Sequence, residues 1–177
     1  MLAPLATHHN QETTMDRATR HLMEYARYHR DPRNVATHFI GIPLIAFGIA
    51  ALLTRWQVDV GGWRLGADTA VWALTALWYL RQGRWSLTAP TIVALGGLVL
   101  LVQPLGDVAT PLWLAWALGS FVVGWVFQAV GHVWEGRKPA FFDDVRGLLV
   151  GPLFLVGEIA VALGLQPGLR EQLKGQA

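Results

Sequence analysis

His29, His38, Gln128, His132 and Glu135 are the residues whose types and spacing can do chemistry in this chain. They occupy two short polar patches. One is Tyr28-His29-Arg30-Asp31-Pro32-Arg33-Asn34-Val35-Ala36-Thr37-His38; the other runs from Gln128 through Gly131 and His132 to Glu135. Each patch abuts a long apolar run. Polar, metal-competent side chains are costly to place at the ends of membrane helices, so they mark a site. Imidazole is the commonest metal ligand, and a carboxylate either joins it or orients it. His29, His38, His132 and Glu135 therefore read as a metal centre. Against this stand plainer roles: interfacial histidines, a Glu135 paired with Arg137 or Lys138, Asn34 as a helix cap, and Gln128 as a hydrogen-bonding bridge between helices. His8, His9 and His21 have no supporting pattern and read as solvated.

The spacing says how these residues can meet. Nine positions separate His29 from His38, and in one unbroken helix they would face opposite ways. Pro32 breaks that helix and pushes Asp31 towards extended conformations. The pattern predicts an amphipathic helix over 16–30, a turn at Asp31-Pro32, and an apolar helix starting near Asn34 as N-cap. Gln128, His132 and Glu135 follow i, i+4, i+7 and line one helix face. Gly124 and Gly131 share that face and admit a close neighbour. Pro139 is expected to end this helix. Arg137 and Lys138 just before it suit an anionic head group.

The elements that hold these patches are membrane helices. The chain has 177 residues, is 53% hydrophobic and 15% charged, where a soluble domain carries about 25% charge. Its apolar runs cover 35–54, 67–80, 90–102, 112–130 and 148–165. A span needs about 20 residues. The first, fourth and fifth qualify, and the second and third do so if the flanks 63–66 and 86–89 are counted. The expected fold is all-α: a polytopic membrane helical bundle with four to five spans and an N-terminal amphipathic interfacial helix. Residues 1–15 read as a disordered leader without signal-peptide features, with Met15 an alternative start. Residues 16–166 read as one membrane-embedded domain and 167–177 as a polar tail.

With the N-terminus cytoplasmic, ten basic residues fall inside (Arg17, Arg20, Arg27, Arg30, Arg33, Arg81, Arg84, Arg137, Lys138, Arg146) and four outside (Arg55, Arg64, Arg170, Lys174). This obeys the positive-inside rule. Trp78, Trp85 and Trp134 then share one interface and Trp56, Trp63 and Trp113 the other. Both polar patches come to the cytoplasmic face, and in a bacterium the membrane would be the inner one. Glu158, inside the fifth run and six residues after Pro152, is an intramembrane acid and hence a further site candidate. The absence of cysteine excludes disulfides, thiolate metal sites and cysteine nucleophiles. The chain has no phosphate-binding loop, no nucleophile elbow, no His-Glu-x-x-His and no basic face for nucleic acid.

The stretches Tyr28-His29, Pro32-Arg33-Asn34, His38 and Gly41-Ile42-Pro43 resemble one signature of the membrane-bound 2-hydroxy fatty acid dioxygenases. Trp125-Val126-Phe127-Gln128, Gly131-His132 and Glu135-Gly136-Arg137-Lys138-Pro139-Ala140 resemble the other. The resemblance covers residues 25–165. It implies Fe(II)- and O2-dependent α-oxidation of a long-chain 2-hydroxy fatty acid to an acid one carbon shorter, with membrane lipid as a further partner. The family's essential histidines carry over onto His29, His38 and His132. Arg30 stands where the family's yeast member has a second histidine, so the fourth ligand is open among Glu135, Glu158, Gln128 and water. Arg30, Arg33, Arg137 and Lys138 are candidates to steer the substrate carboxylate. Asn34, Gln128 and Glu158 are further substrate-side candidates. The same ligands would also suit a zinc-dependent membrane hydrolase. The non-enzymatic alternative is a lipid-binding membrane protein.

Overall fold

Proline, glycine and arginine punctuate the apolar runs, and the chain turns where they fall. The computed structural model describes residues 15–137 and 146–174. Helix α1 spans Arg17–Ala26 and α2 Pro32–Leu53. A hairpin of β1 (Gln57–Val60) and β2 (Trp63–Gly66) leads to α3 (Ala67–Leu80) and α4 (Trp85–Val102). A 3-10 turn over Gln103–Asp107 then precedes α5 (Thr110–Glu135), α6 (Gly147–Ala162) and α7 (Pro167–Lys174). The fold is all-α apart from that small antiparallel hairpin, in which Gln57 pairs with Gly66.

Among the described residues, three helical stretches are long and apolar enough to cross a membrane: α2, α4 with its 3-10 extension, and α5. Helix α6 is apolar but has 16 residues, and α3 has 14. The flank 63–66, counted towards the second span on sequence grounds, is instead strand β2. The Gly61-Gly62 turn reverses the chain there. The flank 86–89 does extend the third run, because α4 begins at Trp85 and continues through Pro90. Val93, Leu100 and Val133 are 72%, 74% and 77% exposed, as lipid-facing side chains would be.

Helix α1 is amphipathic: Ala18, Leu22 and Tyr25 are buried along one face while Arg17, Arg20 and Glu24 are exposed. Asp16 caps it, accepting from the Thr19 amide at 2.7 Å. Arg84 ties the cap down, donating to Thr19 Oγ1 at 2.7 Å and to Gln166 at 2.9 Å. His21, read as solvated, is half-buried with its ring stacked 5.8 Å from Trp78. The 167–174 stretch, read as polar tail, is helical. Its Leu169 is fully buried in the cluster of α1 and α6 side chains, beside Gly157. The expected leader and His8 and His9 lie outside the described residues.

The tightest pairing is α2 with α5, antiparallel and mediated by small residues. A Cβ on Gly41 would lie 2.8 Å from the Gly124 carbonyl oxygen, and one on Gly124 2.8 Å from the Gly41 oxygen. Gly48 is pressed against Ala117 and Phe121 one end along, and Gly131 against Asn34 and Thr37 at the other. Backbone meets backbone there, so the register of the two helices is fixed without side-chain latitude. Helices α3 and α4 are joined more sparsely. Trp72 Nε1 donates to the Ile92 carbonyl at 3.1 Å, and the Tyr79 hydroxyl donates to the Leu149 carbonyl of α6.

Candidate metal centre

The turn between α1 and α2 sets the first two histidines. Pro32 occupies the first helical position of α2, where its fixed φ and missing N–H cost nothing. That makes Asp31 the N-cap, accepting from the Arg33 amide at 2.8 Å. Asn34, expected as the cap, lies inside the first turn instead and is fully buried. His29 lies in the turn itself, three residues beyond α1. Its Nδ1 donates to the Tyr25 carbonyl at 2.8 Å. His38 Nδ1 donates to the Asn34 carbonyl at 2.8 Å, which also accepts from Thr37 Oγ1 at 2.7 Å.

A carbonyl can only accept, so each Nδ1 carries the proton and each neutral ring presents a bare Nε2. The two Nε2 atoms face one another at 3.0 Å. Two lone pairs at that distance repel unless a cation lies between them. Two nitrogens each about 2.1 Å from one ion are themselves roughly 3.0–3.4 Å apart. His132 closes the group, with ring centroids 5.1 Å from both His29 and His38. One nitrogen from each of the three rings lies within 4.8 Å of the others, and all three side chains are buried. His132 Nδ1 is buried without a hydrogen-bond partner. Burial first, and the His38 ring second, push the His29 imidazole down to about 3. It is therefore neutral, the form a metal takes.

Glu135 does something other than join this group. Its carboxylate accepts from the Arg30 amide at 3.0 Å, the Asp31 amide at 2.9 Å and Asn34 Nδ2 at 3.0 Å. The end of α5 is thereby clamped to the turn that carries His29. Gly136, rather than the expected Pro139, ends α5. Its φ of 69° is a left-handed turn that returns its amide to the His132 carbonyl at 3.0 Å. Pro139 and Lys138 lie outside the described residues.

Below the histidines opens an apolar cavity of about 280 Å³, with His38, His132, Gln128 and Tyr25 at its polar end. Gln128 is buried and its Nε2 has no hydrogen-bond partner. Neither Asn34 nor Glu158 lines this space. Asn34 faces Gly131 and Glu135, with its Oδ1 buried and unpartnered, and Glu158 is half-buried on α6, one turn beyond Phe154. The arginines expected to steer a carboxylate also point elsewhere. Arg33 pairs with Asp31 at 2.7 Å and lies over the Trp134 ring. Arg137 donates to the Arg27 carbonyl at 3.1 Å. Arg30 is exposed and approaches the site through its backbone amide.

Tyr25 was missed by sequence reasoning. Its ring lies parallel to His29, with centroids 4.0 Å apart and planes 7° apart, and Phe154 packs against both rings, 5.0 Å from Tyr25 and 5.6 Å from His29. Burial pushes its hydroxyl pKa up, so it remains a neutral donor. The available signal was its position four residues before His29, one helical turn away.

Fold and site together define a class: a helical protein with helices apolar enough for a membrane, in which three buried imidazoles converge beside an apolar cavity lined by two of them, His38 and His132. Comparison with known proteins narrows this. The family described as 2-hydroxy-palmitic acid dioxygenase Mpo1-like matches residues 15–163. A Saccharomyces cerevisiae protein named 2-hydroxy-palmitic acid dioxygenase MPO1 is 35% identical over 153 residues, covering 85% of this chain and 83% of the yeast protein. No solved structure matches the chain. The chain belongs to the Mpo1-like family.

Proposed function

We propose that this chain is a membrane-bound dioxygenase that α-oxidises long-chain 2-hydroxy fatty acids, with His29, His38 and His132 holding Fe(II). The observation that carries the reading is the pair of bare Nε2 atoms facing each other at 3.0 Å. Histidine donors that leave coordination positions open suit non-haem iron. When bound, iron supplies the activation of O2 for oxidative loss of the carboxyl carbon. The overall reaction balances as 2-hydroxy acid plus O2 giving an acid one carbon shorter, CO2 and water. The substrate's four electrons reduce the O2, so no separate reductant is required.

The chain's own residues bind and orient. The carbonyls of Tyr25 and Asn34 hold the His29 and His38 tautomers, and Tyr25 and Phe154 fix the His29 plane by ring contact. Glu135 holds the turn on α5 and so keeps His29 and His132 in register, the role that outer partners of metal ligands play. Gln128, whose Nε2 is a buried donor without a partner, lies beside Gly41 and lines the cavity next to His132. An unsatisfied amide there favours an oxygen-rich head over a hydrocarbon one. The apolar wall below takes the tail and keeps water out. The arginine distribution supports a mouth and an N-terminus at the cytoplasmic face.

The test is metal analysis after anaerobic purification together with O2 uptake on long-chain 2-hydroxy acids. One iron per chain and one O2 consumed per shortened acid are expected. Zinc with hydrolysis and no O2 uptake would replace this reading by a hydrolase; no stoichiometric metal would leave a lipid-binding protein. The chain lacks cysteine, so single cysteines introduced at Arg137 and Asp59 can be labelled from either side, and labelling of both from one side would overturn the orientation.

A further inference from the structure

The cavity has a direction. From His38 it follows one face of α2 through Ile42, Ala46, Ala50 and Leu53, and it ends at Asp68. Those positions recur every three to four residues, so they form a single stripe. Fifteen residues of helix from His38 to Leu53 rise about 22 Å. An extended alkyl chain with bonds of about 1.5 Å advances roughly 1.3 Å per carbon, so the bore accepts about seventeen carbons.

Its floor is polar where its walls are apolar. Asp68 is 2% exposed. One carboxylate oxygen accepts from Gln103 Nε2 at 2.6 Å and the other from the Thr69 amide at 2.7 Å. A methyl terminus gains nothing by reaching this hydrogen-bonded carboxylate, and dehydrating it further is costly. Along the bore, Ala46 and Ala50 are the small residues on a stripe otherwise made of Ile and Leu. They leave the passage open at two depths, about 12 Å and 18 Å below His38 by helical rise.

We propose that Ala46, Ala50 and the Asp68–Gln103 pair gauge substrate tail length. The alanines keep the bore open and the buried polar pair ends it, so straight-chain acids of about seventeen carbons fill it. This rests on the reading that the acid head sits at the histidines. Affinity should rise about fourfold per methylene until the floor is reached and then stop rising or fall.

The test uses the full chain in detergent or lipid, with two readouts. One is kcat/KM for straight-chain 2-hydroxy acids of ten to twenty carbons. The other is displacement of a fluorescent fatty acid by ordinary straight-chain acids of the same lengths, which requires no turnover. Ala46→Phe should move the optimum to about nine carbons and Ala50→Phe to about fourteen, while Asp68→Leu should let longer tails in. If the optimum stays at the wild-type length in both alanine variants, with bound metal retained, the gauge is wrong even if the chemistry is right. If the binding optimum shifts as stated but no 2-hydroxy acid is turned over, the gauge stands and the dioxygenase reading fails. Should the Phe variants not accumulate, Ala46→Leu and Ala50→Leu carry the same test. Their optima must still shorten, and more for Ala46→Leu, or the proposal falls.

Discussion

Where α2 meets α5, Gly41 faces Gly124 and Gly131 lies against Asn34 and Thr37, with no room for a single added carbon. Where α2 faces α3 and α4, Trp72, Leu95 and Val99 stand off and leave a cavity. The same helix is thus packed in two manners on two sides. The close side sets the register of α2 on α5, and with it how His38 meets His132; the open side, which both histidines also line, offers space and little directional bonding. On the proposed function, precision lies where donors would converge on one ion, and slack where a flexible tail would lie. The contrast predicts that substitutions on the two sides fail differently.

The largest effect should come from the convergent donors. His38→Ala and His132→Ala each remove one imidazole from a set of three and should lower metal affinity by more than the roughly 10–100-fold that losing an outer partner costs, abolishing turnover. Leu95→Ala on the open side should leave metal bound and change only how substrate is held. Metal content by elemental analysis separates the cases, and full activity in His132→Ala would sink the site assignment.

Next in size is the seam itself. Gly124→Ala brings Cβ to 2.8 Å from the Gly41 oxygen and 2.9 Å from the Ile45 amide nitrogen, backbone atoms that cannot step aside. A cost of about 1–3 kcal/mol is expected, with metal lost as the helices separate. Gly119→Ala lies on the same helix over open space and should stay within about 0.5 kcal/mol of wild type. Thermal unfolding in detergent checks both; equal effects would mean that the seam is not what sets the site.

Glu135 tests whether the clamp belongs to the precise side. Glu135→Ala strands two backbone amides and the Asn34 amide and should weaken metal binding by about 10–100-fold. Glu135→Gln, which keeps one acceptor oxygen, should fall between. If Glu135→Ala binds metal as wild type does, the clamp has no part in ligand placement.

The close side was largely legible in the sequence and the open side was not. Histidine type, the break at Pro32, the i, i+4, i+7 spacing of Gln128, His132 and Glu135 and the glycines beside them all follow from local rules that one chain displays. Asn34 was misplaced as a cap because Pro32 at the first helical position moves the start of α2 three residues earlier. Arg33 and Arg137 were read as substrate contacts because charge is visible in a sequence and direction is not; one residue's difference from Asn34 turns Arg33 outward. Tyr25 carries no metal-ligating nitrogen or charge to single it out within the amphipathic helix. The cavity left no trace at all, since Ile42, Ile49 and Leu95 are residue types that fill cores elsewhere. Nor could local reading join Asp68 to Gln103, 35 positions on.

The smallest effect lies at the outer rim of the close side and concerns pH. Hydrogen bonds from the Arg33 side chain, then from its backbone amide, lower the Asp31 carboxyl to about 2 from an ordinary value of about 3.9. A carboxylate whose folded pKa is depressed stabilises the fold above its unfolded pKa, and that contribution fades as pH falls towards the folded value. The N-cap contribution of Asp31 should therefore be constant above about pH 5 and decline between about pH 4 and 2. Because Asp31 is only half-buried and its Arg33 partner is exposed, the effect is small, and it is read as a difference. The midpoint gap between wild type and Asp31→Asn should be flat from pH 7 to 5 and narrow below 4, with metal loss cancelling between the two. A gap that widens on acidification would mean that Asp31 gains a proton on folding, and that the turn carrying His29 is held by Glu135 alone.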